Sequence, residues 1–273
     1  MTLNPYTFLL CLAIPGVIRS QPLRQPLSFS YLGLGAYSSE QADVFSYTNN
    51  QAALAQIKGG CVGIYGERKF LLAATSAYKA ALALTSKGGN FGLNLGYSGF
   101  KNFAEYQLGV AYAKQLAPWL DVGMQFNYHG YTVPAYTSAS TVNFELGAIV
   151  HVNDKVAAAF HVYNPVGGTF AKTQEKLSSI YKLGIGYDAS DQLFIAAELV
   201  QQQACGLNVN AGLQYQFAKQ FFLRLGVATG TSTGYLGAGI SWKTLRLDLT
   251  TTYHAQLGLW PGLLLTSAIG KKS

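Results

Sequence analysis

The stretch GLNVNAGLQYQF, residues 206–217, alternates strictly between apolar residues and polar residues or glycine. Successive side chains of a β-strand point to opposite faces, so one face of this strand would be entirely apolar. The same alternation recurs in WLDVGMQFNYHGY (119–131) and TLRLDLTTTYH (244–254), with the charged residues always on the second face. The pattern predicts strands that have lipid on one side and a polar interior on the other.

The alternation continues from Gly60 almost to the end of the chain. An even number of such antiparallel strands can close into a transmembrane barrel. The fold class predicted is therefore all-β: a closed antiparallel transmembrane β-barrel of about fourteen strands, with twelve as an alternative, and an N-terminal hatch or plug segment. The predicted strands are 61–68, 74–86, 89–100, 103–115, 119–131, 140–152, 155–164, 177–188, 191–201, 206–217, 220–229, 232–242, 244–254 and 258–269.

Composition excludes the other common classes. Charged residues are 11% of the chain, against about 25% in typical soluble domains. After the first twenty residues no run approaches the roughly 18 apolar residues of a spanning helix. Within a bilayer a closed barrel is then the arrangement that pairs every backbone N–H and C=O.

Three regions are predicted along the chain. Residues 1–20 carry a short apolar run, Tyr6 to Ile18, and are interpreted as a secretory signal peptide. Residues 21–59 do not alternate and are interpreted as a periplasmic or lumenal hatch with a short helix near 50–57. Residues 60–273 would form the barrel. The expected location is the outer membrane of a Gram-negative bacterium.

The connections indicate which end of the barrel faces outward, because short turns lie on the periplasmic side and long loops outside. The segments 132–139 and 165–176 are predicted to be long outer loops on the same end. The first of these (TVPAYTSA) is apolar enough to serve as a docking loop.

A likeness to a known family rests on ADVFSYTNNQAALA (42–55), followed by CVGIYGERKFL. This resembles the hatch and first strand of the long-chain fatty-acid transporter (FadL-like) superfamily, with Gln51 where that family usually has proline. YNPVGG (163–168) and YHAQLGLWPGLLL (253–265) are similar to segments of its PorV/PorQ-type branch. The resemblance implies a fourteen-stranded barrel with an N-terminal segment in the lumen and a role associated with type IX protein secretion.

Two sets of candidate functional residues follow from the hatch motif and from the polar face of the strands. Lumen charges would form either a solute path, a hatch-anchoring surface or a filled polar interior. The hatch candidates are Asp43, Phe45, Tyr47, Asn49, Asn50 and Leu54. The lumen-facing candidates are Glu105, Asp121, Glu145, Lys182, Glu198, Arg224, Arg246 and Asp248.

Catalysis is not expected, although Ser140, Asn143 and His161, or Asp121 and His129, could in principle converge across the lumen. No spacing indicates a metal or cofactor. The formal charge of +7 includes no Lys/Arg run of the kind that binds nucleic acid. The protein is therefore predicted not to be an enzyme.

Two functions remain open. The barrel could move a hydrophobic small molecule, with an apolar pocket lined by Phe45, Tyr47 and Leu54, or it could dock a secretion-system protein. A plugged structural barrel without transport and a lipid-modifying barrel enzyme are the alternatives. Outer-membrane lipid is the expected surrounding partner.

Overall fold

The computed structural model describes residues 23–24, 27 and 29–269. Fourteen antiparallel strands close into one barrel, which confirms the predicted fold class. The last strand pairs with the first, from Gly262 opposite Glu67 to Ile269 opposite Gly60. The strands are β1 (Gly60–Arg68), β2 (Ser76–Ser86), β3 (Gly89–Phe100), β4 (Phe103–Ala117), β5 (Leu120–Val133), β6 (Thr137–His151), β7 (Val156–Tyr163), β8 (Ile180–Ser190), β9 (Leu193–Gln202), β10 (Leu207–Gln216), β11 (Phe221–Ala228), β12 (Thr233–Trp242), β13 (Leu245–His254) and β14 (Gly258–Ile269).

The two faces of the wall differ as the alternation predicts. On the outer face Phe126 is 59% exposed, whereas the adjacent inward residue Gln125 is only 2% exposed. Outward aromatic residues lie toward both ends of the strands, as in the girdles that meet lipid headgroups. They include Tyr97, Tyr106 and Tyr128 toward one end, and Tyr187, Tyr215 and Trp242 toward the other.

The connections define two ends of the barrel. The short-turn end holds connections of two to four residues and both ends of the closed sheet, Gly60 and Ile269. The long-loop end includes the connections 69–75 and 164–179. The prediction of a long loop at 132–139 is wrong, because β5 and β6 continue on either side of a three-residue turn, 134–136, and leave Tyr136 87% exposed.

The hatch is the described segment from Phe29 to Ile57, and it lies inside the barrel. It consists of three 3-10 helices, Ser30–Tyr37, Ser46–Thr48 and Gln51–Gln56, the last where a short helix was predicted. Its buried side chains form common clusters with those of the barrel wall. The amide of Asn50 begins the third helix by accepting a hydrogen bond from the Ala52 N–H at 3.0 Å.

The N-terminal segment crosses the whole lumen. A two-residue strand, Leu23–Arg24, pairs in parallel with Lys176–Leu177 in the connection at the long-loop end. The hatch then continues to Ile57 and enters β1 at the short-turn end. The predicted signal peptide, residues 1–20, lies outside the described residues. No helix of the described chain is long and apolar enough to cross a membrane.

Candidate functional site

The predicted lumen charges lie on the inward faces of their strands, and most of them contact the hatch. Glu105 is half-buried near the long-loop end of β4. The candidates that bond to hatch atoms are Asp121, Glu145, Lys182, Glu198, Arg224, Arg246 and Asp248. The arrangement corresponds to the hatch-anchoring alternative.

One anchor is an arginine cluster around Asp43 of the hatch. The Asp43 carboxylate lies 3.5 Å from Nη2 of Arg224 and 3.7 Å from Nη1 of Arg246. Arg224 is completely buried, donates to the Tyr31 carbonyl at 3.2 Å and stacks over the Tyr31 ring. The Tyr31 hydroxyl in turn donates to Asp248 at 2.8 Å. Burial raises the pKa of the Tyr31 phenol, so it remains a donor.

A second anchor surrounds Glu198 on β9. Its carboxylate accepts hydrogen bonds from Tyr37 and, at 3.1 Å, from the Asn49 amide of the hatch. Burial, and then the adjacent carboxylate, raise the pKa of the Tyr37 phenol well above its usual value. The phenol therefore stays protonated. Lys182 also reaches Asn49, so the same hatch residue connects both charges.

A third anchor holds the last helix of the hatch. The Gln51 amide donates to Glu145 at 2.7 Å, and the Gln56 amide donates to Asp121. Gln51 occupies the position where the resembled family usually has proline. A proline could not make the Glu145 contact, so the departure from the motif supplies an anchor.

Glycines in the wall make room for the hatch. Gly123 and Gly147 face each other across β5 and β6. A Cβ added to Gly123 would lie 2.4 Å from the Gln51 carbonyl carbon, and one added to Gly147 would lie 2.2 Å from Asn50 Oδ1. These two residues are called the glycine notch below. The hatch backbone occupies the space that these inward glycines leave.

The predicted apolar pocket beside the hatch is not formed by the described residues. Phe45, Tyr47 and Leu54 are each 0% exposed and belong to one packed cluster with wall residues. Their apolar side chains pack directly against the wall, which leaves no space between these residues and the wall. These residues hold the hatch in place and line none of the described cavities.

A chamber of about 490 Å³ lies between the hatch and the long-loop end of the barrel. Its hatch side includes Phe29, Leu32 and Asn49, and Cys205 lines it near the long-loop end. The wall contributes apolar side chains such as Ile180 and Val200 and a group of polar ones. The polar group comprises Lys79, Gln107, Gln125, Glu145, His161 and Lys182.

Lys79 is the distinctive residue of this chamber. It is only 8% exposed, yet it forms no hydrogen bond or ion pair with any residue in the described part of the chain. Its Nζ lies 5.6 Å from the centroid of the Phe29 ring. By contrast, Glu145 is bonded to His161 at 3.0 Å and to three amide side chains. The chamber therefore contains one cation without a counter-charge in contact.

The sequence did not single out Tyr31, Tyr37 or Ser38, although each bonds to a wall carboxylate. No motif marks them, because the hatch has no repeating period. Lys79 carried a weak signal as a charged residue on the inward face of β2. It had no distinguishing neighbour in the sequence.

The histidine arrangements considered for catalysis do not form. His161 bonds to Glu145, while Ser140 faces the outer surface by strand alternation. Asp121 bonds to His151 at 2.6 Å, whereas His129 bonds to Tyr163. Within the described residues, no group of three or more His, Cys, Asp or Glu side chains is placed to hold a metal ion.

Comparison with solved structures gives the class of fold. A FadL homologue of Pseudomonas aeruginosa is 11% identical, with a TM-score of 0.64 over 87% of this chain and 96% of its own. The monoaromatic hydrocarbon channel CymD is 12% identical, with a TM-score of 0.61 over 90% and 100%. The Pseudomonas putida toluene transporter TodX is 9% identical, with a TM-score of 0.63 over 88% and 100%.

The chain is thus a FadL-like barrel in its fold. At these identities the similarity extends to the fold alone. No protein family model matches the sequence, and no curated protein does.

Proposed function

We propose that this protein is an outer-membrane channel that takes up small molecules with an apolar body, and that its hatch controls their passage. The observation that carries the proposal is the chamber of about 490 Å³ between the hatch and the long-loop end. Its volume is within the roughly 300–1,000 Å³ of small-molecule sites. Proteins of similar fold support the proposal, since CymD is a monoaromatic hydrocarbon channel and TodX is a toluene transporter.

The lining of the chamber defines the chemistry of the substrate. Phe29, Leu32, Ile180 and Val200 offer an apolar surface, and Lys79 offers a cation that has no counter-charge in contact. A molecule with an apolar ring and an anionic group satisfies both. A purely polar solute such as a sugar would leave the apolar surface uncovered.

The hatch must move for a substrate to leave the chamber toward the short-turn end. Phe45, Asn50, Gln51 and Leu54 are completely buried between the hatch and the wall. Passage therefore requires some anchors to break, which makes the hatch a gate. Polar anchors suit a gate, because water can satisfy the separated groups once they part.

Two naphthalene dyes of matched body and different charge test the substrate class in intact cells. N-phenylnaphthylamine is neutral and anilinonaphthalene sulfonate is anionic, and both fluoresce on reaching an apolar environment. Expression of the protein is expected to accelerate the fluorescence rise of both dyes. Lys79→Met is expected to slow the anionic dye about tenfold, through loss of one charge-assisted contact, and to leave the neutral dye unchanged.

The matched control is Lys172→Met, because Lys172 is exposed on the connection at the long-loop end. If neither dye is accelerated by the wild-type protein, the channel proposal is wrong and the plugged structural barrel is favoured. If Lys79→Met slows both dyes equally, the assigned role of Lys79 in charge selection is wrong.

A docking role in type IX secretion is the second candidate, favoured by exposed apolar residues at the long-loop end. Leu71 is 64% exposed, Tyr136 87% and Val166 72%. Changing Tyr136 and Val166 to serine would then abolish secretion of a type IX cargo while dye uptake stayed normal. Unchanged secretion would exclude docking through these loops.

A further inference from the structure

An apolar groove on the lipid-facing side of the barrel has the form of a lipid site. It has a volume of about 770 Å³ and crosses the outer faces of β14, β1, β2 and β3. The small residues Gly66 and Ala80 form its floor between larger neighbours. The flanking residues are Leu263 and Leu265 on one side, and Tyr78, Leu95 and Tyr97 on the other.

The depth of the groove depends on Gly66. In register, Gly66 lies between Leu263 and Tyr78, in a row of otherwise large outward side chains. A Cβ at this position would already approach the Tyr78 ring to 3.1 Å. A bulky side chain at position 66 would therefore fill the groove from the lipid side without entering the lumen.

One end of the groove carries a positive charge. Arg68 follows Gly66 on the same face of β1, toward the long-loop end, and it lines the groove. It is exposed and forms no ion pair with any residue that the structure describes. The neighbouring Glu67 faces inward and pairs with Lys69 at 3.7 Å instead. Arginine in this position favours a phosphate, which its guanidinium can bind with two hydrogen bonds.

We propose that this groove binds one phosphorylated, acylated lipid, with an acyl chain over Gly66 and Ala80 and the headgroup phosphate on Arg68. The occupant is a lipid because the groove is on the apolar outer face, where the surrounding molecules are lipids. The groove is on the outer face of the wall, and Lys79, which faces inward, is the one residue that lines both the groove and the lumen chamber. Lipid binding in the groove does not depend on what the channel carries.

Native mass spectrometry of the detergent-purified barrel tests the site. The probes are phosphatidylglycerol and diacylglycerol with the same acyl chains, which has no phosphate. The wild-type protein is expected to retain one phosphatidylglycerol molecule more tightly than diacylglycerol. Arg68→Gln is expected to weaken phosphatidylglycerol binding about tenfold, and Gly66→Leu to remove the bound lipid of either kind.

Two variants control for general surface effects. Ala238→Leu places the same leucine side chain on the lipid-facing side of β12, and Lys172→Gln removes an exposed charge elsewhere at the long-loop end. Both are expected to bind lipid like the wild type. Equal retention of the two lipids by the wild type, or equal loss from Ala238→Leu and Gly66→Leu, would overturn the proposal. Arg68→Gln gives an independent test if Gly66→Leu does not fold.

Discussion

Replacing both glycines of the notch with alanine is expected to displace the hatch and open the barrel to ions. The added methyl groups would lie 2.4 Å from the Gln51 carbonyl carbon and 2.2 Å from Asn50 Oδ1. Overpacking of this kind costs about 1–3 kcal/mol per site, and the neighbouring sites are not strictly additive. The strands themselves should tolerate alanine. The barrel is therefore expected to remain folded while the hatch is displaced from its position against β5 and β6.

Planar-bilayer conductance measures this outcome. The double variant is expected to show larger and more frequent openings than the wild type. Its folded state can be checked on a gel, where the compact unheated barrel migrates faster than the heat-denatured chain. Gly234→Ala is the matched control, since the nearest atom to its added Cβ would be 3.7 Å away. If the double variant conducts like the wild type, the notch does not seat the hatch.

The second large effect is expected from removal of Arg224. Breaking a buried charge pair by deleting one partner costs about 3–5 kcal/mol. Arg246 remains near Asp43, so the lower part of that range is expected for Arg224→Met. Local opening of the hatch should then become roughly a hundredfold more frequent.

Hydrogen exchange of peptides from the hatch measures the opening. Faster exchange is expected in residues 29–57, with exchange in the strands distant from β11 unchanged. Lys172→Met serves as the control that removes an exposed charge. Uniform acceleration throughout the barrel would mean that Arg224 stabilises the whole fold and does not anchor the hatch in particular. Asp43→Asn tests the same contact from the hatch side if Arg224→Met fails to fold.

The sequence predicts the barrel because a strand with lipid on one side and a polar interior on the other needs a period of two. That period is visible in 206–217 without any knowledge of the strand partners. The loop at 132–139 was placed wrongly because Pro134 interrupts the apolar pattern, although β6 already begins at Thr137. Turns in a barrel depend on register between strands, and a single strand does not contain that information.

The candidate site was less predictable than the wall. The alternation put Glu145, Glu198 and Arg224 on the inward face. Which hatch residue each of them contacts depends on how the hatch, an irregular segment of about thirty residues, packs in the lumen. Tyr37 and Lys79 become distinctive only in the folded lumen. Tyr37 donates to Glu198, and Lys79 is buried with no carboxylate in contact.

The central claim is that the chamber opens to the cell surface at the long-loop end and is closed by the hatch toward the short-turn end. Labelling of single cysteines in intact cells with a membrane-impermeant maleimide tests this claim most directly. All variants carry Cys11→Ala and Cys61→Ala, since the chain has three cysteines. The first variant retains the native Cys205, which lines the chamber. The other two carry Cys205→Ala. One of them adds Thr48→Cys on the chamber side of the hatch, and the other adds Ala53→Cys at a position that is 1% exposed. Rapid labelling at positions 205 and 48 with protection at 53 is expected. Protection of Cys205, or equal labelling at 48 and 53, would contradict the claim.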